Sequence, residues 1–290
     1  MTEAAAVPHP EPSRPLSLTM IRGALRVLSA TAPKVASRVA ADLFLTPRRF
    51  AAPPREQEIL AHGEPFTVPL GAASEVRAWR FGKGPTVILA HGWEGRGSQL
   101  TPFVNPLVER GYSVVTFDAP GHGASPGSRS SLPHFAWAVR GVADAIGAPH
   151  AIIAHSLGCA AATLALRDGL SVQRLVYIAP PLNPQDYTER FGDILGLDAA
   201  TIQGMQMRIE ERFARKWSDY SLEETARQLT TPLLVVHDRD DRDTYWHEGA
   251  ALAKAWTGAR LLTTQGLGHR RILRDAAVIE EVTRFVDLLA

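Results

Sequence analysis

The sequence predicts a doubly wound α/β protein: a mostly parallel sheet of eight strands, with a small helical cap insertion and an N-terminal helical extension. Three observations predict it. Short apolar runs alternate with amphipathic stretches from Pro65 onward. Some runs, such as Val87-Ile-Leu-Ala90 and Leu233-Leu-Val-Val236, are continuously apolar, which suits strands covered on both faces of a parallel sheet. About fifty residues, Pro180 to Leu229, separate two of the runs and read mostly as helix, the signature of an insertion.

Residues 1–15 form a proline-rich lead, read as mobile. Residues 16–64 form the extension. Leu18, Ile21, Leu25 and Leu28 keep helical spacing beside Arg22 and Arg26. Pro33 interrupts, and Val35, Val39 and Leu43 resume the pattern until Thr46-Pro47. Two amphipathic helices are expected, with their apolar stripes packed on the main domain or on a second subunit. A homodimer through these helices or the cap is one expected partnership. Docking of the same stripes on a membrane surface is the disfavoured alternative.

Residues 65–290 form the main domain. Strands are expected at Pro65–Val68, Glu75–Phe81, Thr86–Ala90, Ser113–Phe117, Ala151–Ala154, Arg174–Ala179, Leu233–His237 and Arg260–Thr263. Helices are expected at Leu100–Arg110, Leu132–Ile146, Cys159–Arg167, Trp246–Trp256 and Asp275–Leu289. Within the cap, about 180–229, Ile202, Met205, Ile209, Phe213 and Trp217 predict one long amphipathic helix. Ser221 with Glu224 predicts a capping box opening another. An insertion after the C-terminal end of a strand sits where α/β sheets bind ligands.

Bulk properties narrow the function. The formal net charge of +1 gives no excess of basic charge to draw nucleic acid. The single cysteine, Cys159, excludes an internal disulfide and a cysteine-based metal cage, and is read as a small buried apolar residue. No apolar run reaches the roughly 18 residues of a membrane span. Glu3, Pro8, Pro10, Glu11 and Pro12 stand where a secretory signal would be basic and then apolar, so the expected compartment is the cytoplasm.

The chemistry centres on Ser156. It lies between the apolar run Ala151–Ala154 and the helix-prone run Cys159–Arg167, with small residues two before (Ala154) and two after (Gly158). A serine at a sharp strand-to-helix turn is a nucleophile elbow. The competing reading is a serine that caps a core helix. A serine hydroxyl needs a base to take its proton, and the base needs a carboxylate to orient it. Two later strand ends carry such groups: His237-Asp-Arg-Asp-Asp241-Arg-Asp243, and Gly268-His269. Asp241, Asp240 and Asp243 are all candidates for the acid. A calcium loop starting at Asp238 would need Gly at its sixth position and Glu at its twelfth. Those positions hold Asp243 and Gly249.

Four stations together resemble the α/β-hydrolase fold serine hydrolases, over about three quarters of the chain from Glu75. They are His91-Gly92-Trp93, Asp118-Ala-Pro-Gly121-His-Gly123-Ala-Ser125, His155-Ser156-Leu157-Gly158 and Gly268-His269. The resemblance implies Ser156 as nucleophile, His269 as base and Asp241 as the orienting acid. It implies backbone N–H groups of Trp93 and Leu157 as the oxyanion donors, and no cofactor or metal. The family pattern His-Gly-x-x-Asp selects Asp241, although Asp238 replaces its glycine. His91, His155 and His122 are expected to be structural, while His150 and His237 flank strands. Arg270 and Arg271 are expected to pair with carboxylates rather than hold an anionic substrate, and Glu94 and Arg96 to lock their turn. Trp93, with Met205 and Phe213 from the cap, is expected to wall the acyl pocket.

Serine at the elbow excludes the branches with an aspartate nucleophile. The implied reaction is hydrolysis of a small-molecule carboxylic ester or thioester through an acyl-enzyme. Acyl transfer, C–C bond hydrolysis and cofactor-free peroxidation use the same framework. A non-catalytic binding protein is the reading from another class. Removal of Met1–Arg14 is expected to leave ester turnover unchanged. A large loss in that assay would place the lead at the site.

Overall fold

A computed structural model of the protein describes residues 16–71 and 74–287. The lead at 1–15 and the last residues of the expected C-terminal helix, 288–290, lie outside the described residues. The strands are β1 (Glu64–Pro69), β2 (Glu75–Phe81), β3 (Thr86–Ala90), β4 (Ser113–Phe117), β5 (Ala151–His155), β6 (Arg174–Ile178), β7 (Leu233–Asp238) and β8 (Arg260–Thr264). They form one sheet in the order β1-β2-β4-β3-β5-β6-β7-β8. β1 and β2 run antiparallel to each other and β2 to β4, while β4, β3, β5, β6, β7 and β8 are parallel. The mostly parallel eight-stranded sheet is therefore as expected.

Helices α1 (Leu16–Thr31), α2 (Pro33–Phe44) and α3 (Pro54–Ala61) precede the sheet. α4 (Val104–Val108), α5 (Leu132–Ile146) and α6 (Leu157–Arg167) follow β3, β4 and β5. The insertion after β6 holds α7 (Asp186–Leu195), α8 (Ala199–Phe213) and α9 (Leu222–Ala226). α10 (Trp246–Ala255), α11 (Gly268–Arg271) and α12 (Ala276–Asp287) complete the chain. Among the described residues, no helix is long and apolar enough to cross a membrane.

Alternation along the strands feeds two cores. Ile88, Ala90, Val115, Phe117, Ile152, Ala154, Leu175 and Tyr177 pack with α5 and α6. Val87, Leu89, Val114, Ile153, Val176 and Ile178 pack with Phe103, Leu107, Val282 and Phe285 on the other side. Successive side chains point to opposite faces, so a continuous apolar strand fills both layers. The chain passes from β3 outward to β4, then returns across β3 to form β5. The C-terminal ends of β3 and β5 are thus a topological switch point, where open α/β sheets bind ligands.

Three local expectations change, and one helix was not expected. The helix expected at Leu100–Arg110 is a 3-10 helix, Gly97–Phe103, followed by the short α4. Pro102 and Pro106 lack the N–H that a continuous α-helix would use. α3 was not legible from apolar periodicity, because its buried side chain is the carboxylate of Glu56. The long cap helix stops at Phe213, where Ala214 turns left-handed (φ +50°), and Trp217 starts a separate 3-10 turn. Ser221 Oγ accepts from Glu224 N at 3.4 Å, one half of the expected capping box.

The extension packs on its own chain, and not through the stripe expected for α2. Val35, Val39 and Leu43 stay exposed. α2 instead buries Ala36, Ser37, Ala40 and Ala41. The small residues let α2 approach α8 closely; a Cβ on Gly204 would stand 2.4 Å from Ser37 Oγ. Met205 and Ile209 of α8 share a core with Ala40, Ala41 and Leu45.

Two loops at the switch point are wired by buried side chains. After β3, His91 Nδ1–H donates to Gly92 O (2.7 Å) and His91 Nε2 accepts from Ala119 N (2.9 Å). After β4, His122 Nδ1–H donates to Pro120 O (3.0 Å) and Nε2 accepts from Glu94 N (3.1 Å). The Asp118 carboxylate accepts from Gly97 N and Ala124 N, both at 2.7 Å. Gly123 is left-handed (φ +44°), and a Cβ there would fall 2.1 Å from Asp118 Oδ2. The histidines of both motifs are therefore structural, as expected.

Burial pushes His91 down to about 3 and His122 down to about 4. Both folded values lie below the ordinary 6.5, so the unfolded chain takes up protons first as pH falls. The stability they contribute is complete above about pH 6.5 and is lost on acidification. For His122 alone the loss from pH 6.5 to pH 5 is on the order of 2 kcal/mol. Urea unfolding at pH 7 and pH 5 is expected to show a smaller acid-induced loss in His122→Asn than in wild type. Equal losses would mean that His122 does not titrate in this way.

Candidate active site

Ser156 joins β5 to α6 with φ +53° and ψ −122°. A residue with a side chain holds such a conformation only when its surroundings fix it. Ser156 N donates to Ile178 O of β6, and Cys159 N donates to Ser156 O, each at 2.9 Å. Close packing leaves room for glycine alone on either side. A Cβ on Gly158 would stand 2.6 Å from Ala90 O and 2.7 Å from His91 O. One on Gly92 would stand 2.8 Å from Ser156 Cβ. The Ser156 side chain makes no cap hydrogen bond, so the capping role does not apply and the half-buried hydroxyl remains unspent. Cys159 is buried, and burial pushes its thiol well up, as a small core residue requires.

The candidate acid and base lie in the loops that follow β7 and β8. Asp241 Oδ2 lies 2.7 Å from His269 Nδ1. Its Oδ1 accepts from Asp243 N (2.8 Å) and Thr244 N (3.0 Å), and Thr244 Oγ1 lies 3.0 Å from Oδ2. Burial alone would raise this carboxyl. His237, whose Nε2 is 3.5 Å from Oδ2, together with His269 and Thr244 N, outweighs burial and holds Asp241 well below the usual carboxylate range. An ionised Asp241 makes Nδ1 the protonated nitrogen of neutral His269, leaving Nε2 as the acceptor. His155 Nε2–H donates to His269 O (2.9 Å), and the two rings lie 4.6 Å apart. The residue before Ser156 thereby holds the backbone of the candidate base. Asp240 instead accepts from Gly266 N (2.9 Å), and the Asp243 side chain is exposed.

Asp238, which replaces the family glycine, ties the two loops together. It accepts from Asp240 N (2.9 Å) in the acid loop, and from Thr264 Oγ1 (2.7 Å) and Leu267 N (3.0 Å) beside His269. Sequence reasoning missed this role, as it missed Thr244 and His237. The departure from glycine was the available signal.

Trp93 sits in the turn closed by Gly95 N–H to Gly92 O (3.0 Å), with its ring against His122 and Phe135. Among the described residues the Trp93 N–H has no turn or side-chain partner. Leu157 opens α6, so its N–H has no partner within the helix. The expected cap contacts lie elsewhere. Met205 is fully buried between α8 and α2, behind any accessible wall. Phe213 packs edge-on against His134 and Trp137 of α5. Both residues serve helix packing first, because an amphipathic stripe must bury itself before it can face a ligand. Arg271 donates to Gly266 O (2.6 Å) rather than to a carboxylate, and Arg270 is exposed. Arg239, Arg242 and Arg271 line a cleft of about 450 Å³ beside the acid loop.

Comparison with known proteins bears on the fold. The family model for serine aminopeptidase S33 matches residues 83–220, and that for TAP-like protein matches residues 213–288. No curated protein matches significantly. An esterase from Exiguobacterium antarcticum superposes with a TM-score of 0.61 at 16% identity, over 78% of this chain and 100% of that one. An esterase from Pyrococcus furiosus gives 0.64 at 16% identity, over 83% and 98%. A bromoperoxidase from Bacillus anthracis gives 0.59 at 16% identity, over 77% and 99%. The strand order, the strained serine between β5 and α6 and the matched segments lead to one conclusion: the chain is an α/β-hydrolase fold protein.

Proposed function

We propose that this protein is a serine hydrolase that cleaves carboxylic ester or thioester bonds of small molecules through an acyl-enzyme. The observation that carries the proposal is the Asp241–His269 hydrogen bond, with the His269 ring packed on His155, the residue before a strained serine whose hydroxyl makes no cap bond.

Ser156 Oγ attacks the carbonyl carbon while His269 Nε2 takes its proton. Asp241 stays anionic, holds the imidazole in register and stabilises the cation that forms. The carbonyl oxygen gains negative charge and is held by the N–H groups of Trp93 and Leu157, with the positive end of α6 behind Leu157. Collapse expels the alcohol or thiol, which receives the proton from His269. Water then attacks the acyl-serine, gives a proton to His269 and releases the acid as Ser156 is reprotonated. Each step uses groups of the chain and water alone.

A p-nitrophenyl ester series from acetate to palmitate tests the proposal. Wild type is expected to turn over with a chain-length optimum. Ser156→Ala is expected to lose more than about 1,000-fold of that rate while keeping its unfolding midpoint. Substantial activity in Ser156→Ala would assign the chemistry to another nucleophile. Asp241→Asn is expected to fall by about 10,000-fold, because the imidazole then adopts the wrong tautomer. Asp240→Asn is expected to change little, and the opposite ranking would move the acid role to Asp240.

A further inference from the structure

The turn after β3 is gripped by the N-terminal extension on both sides of Trp93's neighbours. Arg48, four residues beyond α2, donates from its backbone N (3.1 Å) and Nε (3.0 Å) to Glu94 Oε1, and from Nη2 (2.8 Å) to Oε2. Glu94 directly follows Trp93 and is left-handed, with φ +53°. Such a backbone needs external constraint, and Arg48 and His122 supply it. Glu56 of α3 holds the far side of the turn. Its Oε2 accepts from Arg96 Nε (2.7 Å) and Ser98 Oγ (2.6 Å), and its Oε1 from Arg274 Nη2 (3.1 Å). Glu56 and Arg96 are both buried, at 6% and 9% exposure, so little water is at hand to replace either partner.

The extension also grips the loop after β4. The Arg49 guanidinium donates to the carbonyl oxygens of Gly123, Ser125 and Gly127, and Ser130 N donates to Leu45 O (2.8 Å). This loop carries His122, which accepts the Glu94 N–H. The turn against the serine and the loop that supports it are therefore both clamped by residues 45–56. These residues precede the matched family segment, which begins at residue 83.

We infer that the N-terminal extension is a working part of the site, in which Arg48 and Glu56 are positioning residues that hold the Gly92–Ser98 turn and aim the Trp93 N–H at the developing oxyanion. The inference rests on the serine-hydrolase function proposed above. An oxyanion donor acts only when its N–H is preorganised at about 2.7–3.1 Å from the charge. A relaxed turn would therefore slow chemistry without loosening substrate binding.

The test uses full-length Arg48→Ala, Arg48→Lys and Glu56→Gln. Arg48 is 76% exposed at its side chain, so its variants are expected to fold normally. Three quantities are read: kcat against KM on the best ester, the rate of fluorophosphonate labelling, and amide hydrogen exchange over 92–98. Arg48→Ala is expected to lower kcat by roughly 5- to 50-fold, below the cost of losing a donor outright, with KM within about twofold. Labelling is expected to slow in parallel and exchange over 92–98 to quicken, at an unchanged unfolding midpoint. Arg48→Lys is expected to recover only part of the rate, because a lysine cannot hold both carboxylate oxygens. Glu56→Gln is expected to fall further.

Unchanged kcat and unchanged exchange in Arg48→Ala, with a lowered unfolding midpoint in Glu56→Gln as the only effect, would overturn the inference and leave the extension a packing element. Failure of the function itself reads differently. Wild type would then neither turn over esters nor label at Ser156. Exchange over 92–98 would still decide whether Arg48 holds the turn, and unchanged exchange would overturn the inference there too.

Discussion

The arrangement depends on how closely the first turn of α6 approaches the end of β3. Gly158 allows the helix to touch the carbonyl oxygens of Ala90 and His91, and Gly92 allows the next turn to pass beneath the serine side chain. With that contact in place, Ser156 has no ordinary backbone conformation available and is driven upward from the sheet. The same contact sets the β3 turn, with Gly92, directly against the serine side chain. A single steric fact thus sets both the strained serine and the turn packed against it.

The surrounding polar network contributes rigidity. His91, His122, His155 and His237 are buried, and each bonds a backbone oxygen or nitrogen that its loop would otherwise leave unmatched. Asp118 and Asp238 do the same with carboxylates for the loops after β4 and β7. Loops carry chemistry well only when a stiff frame fixes them. Here side chains standing in for backbone partners provide that stiffness. His269, unlike these four, keeps a partly exposed ring, aligned with the Asp241 carboxylate.

What was legible in the sequence follows the range of the forces involved. β3 and β4 fall where the apolar runs place them, because continuous burial leaves a local pattern, and β2 falls where its alternation places it. The serine turn was legible because crowding there demands small residues at fixed offsets. Asp241 stood out from its neighbours by register, and the structure turns its carboxylate toward His269. The partners of Glu94 and Arg96 were not legible. They come from positions about forty residues earlier in the chain, through contacts that leave no periodic trace. α2 misled because its exposed face carries the larger apolar residues and its buried face the smaller ones. Periodicity weighs side-chain size, whereas close helix packing selects against it.

The small-residue seam between α2 and α8 has a consequence for how the molecule can be divided. α8 belongs to the cap, and only a few residues link the end of α2 to Arg48 on the β3 turn. Insertion, seam and turn are therefore joined by one continuous run of contacts. The boundary drawn by family likeness does not coincide with the boundary drawn by packing. A chain trimmed to begin where the likeness begins would lose β1 and β2, leave the cap without its supporting helix and leave the turn without its tether.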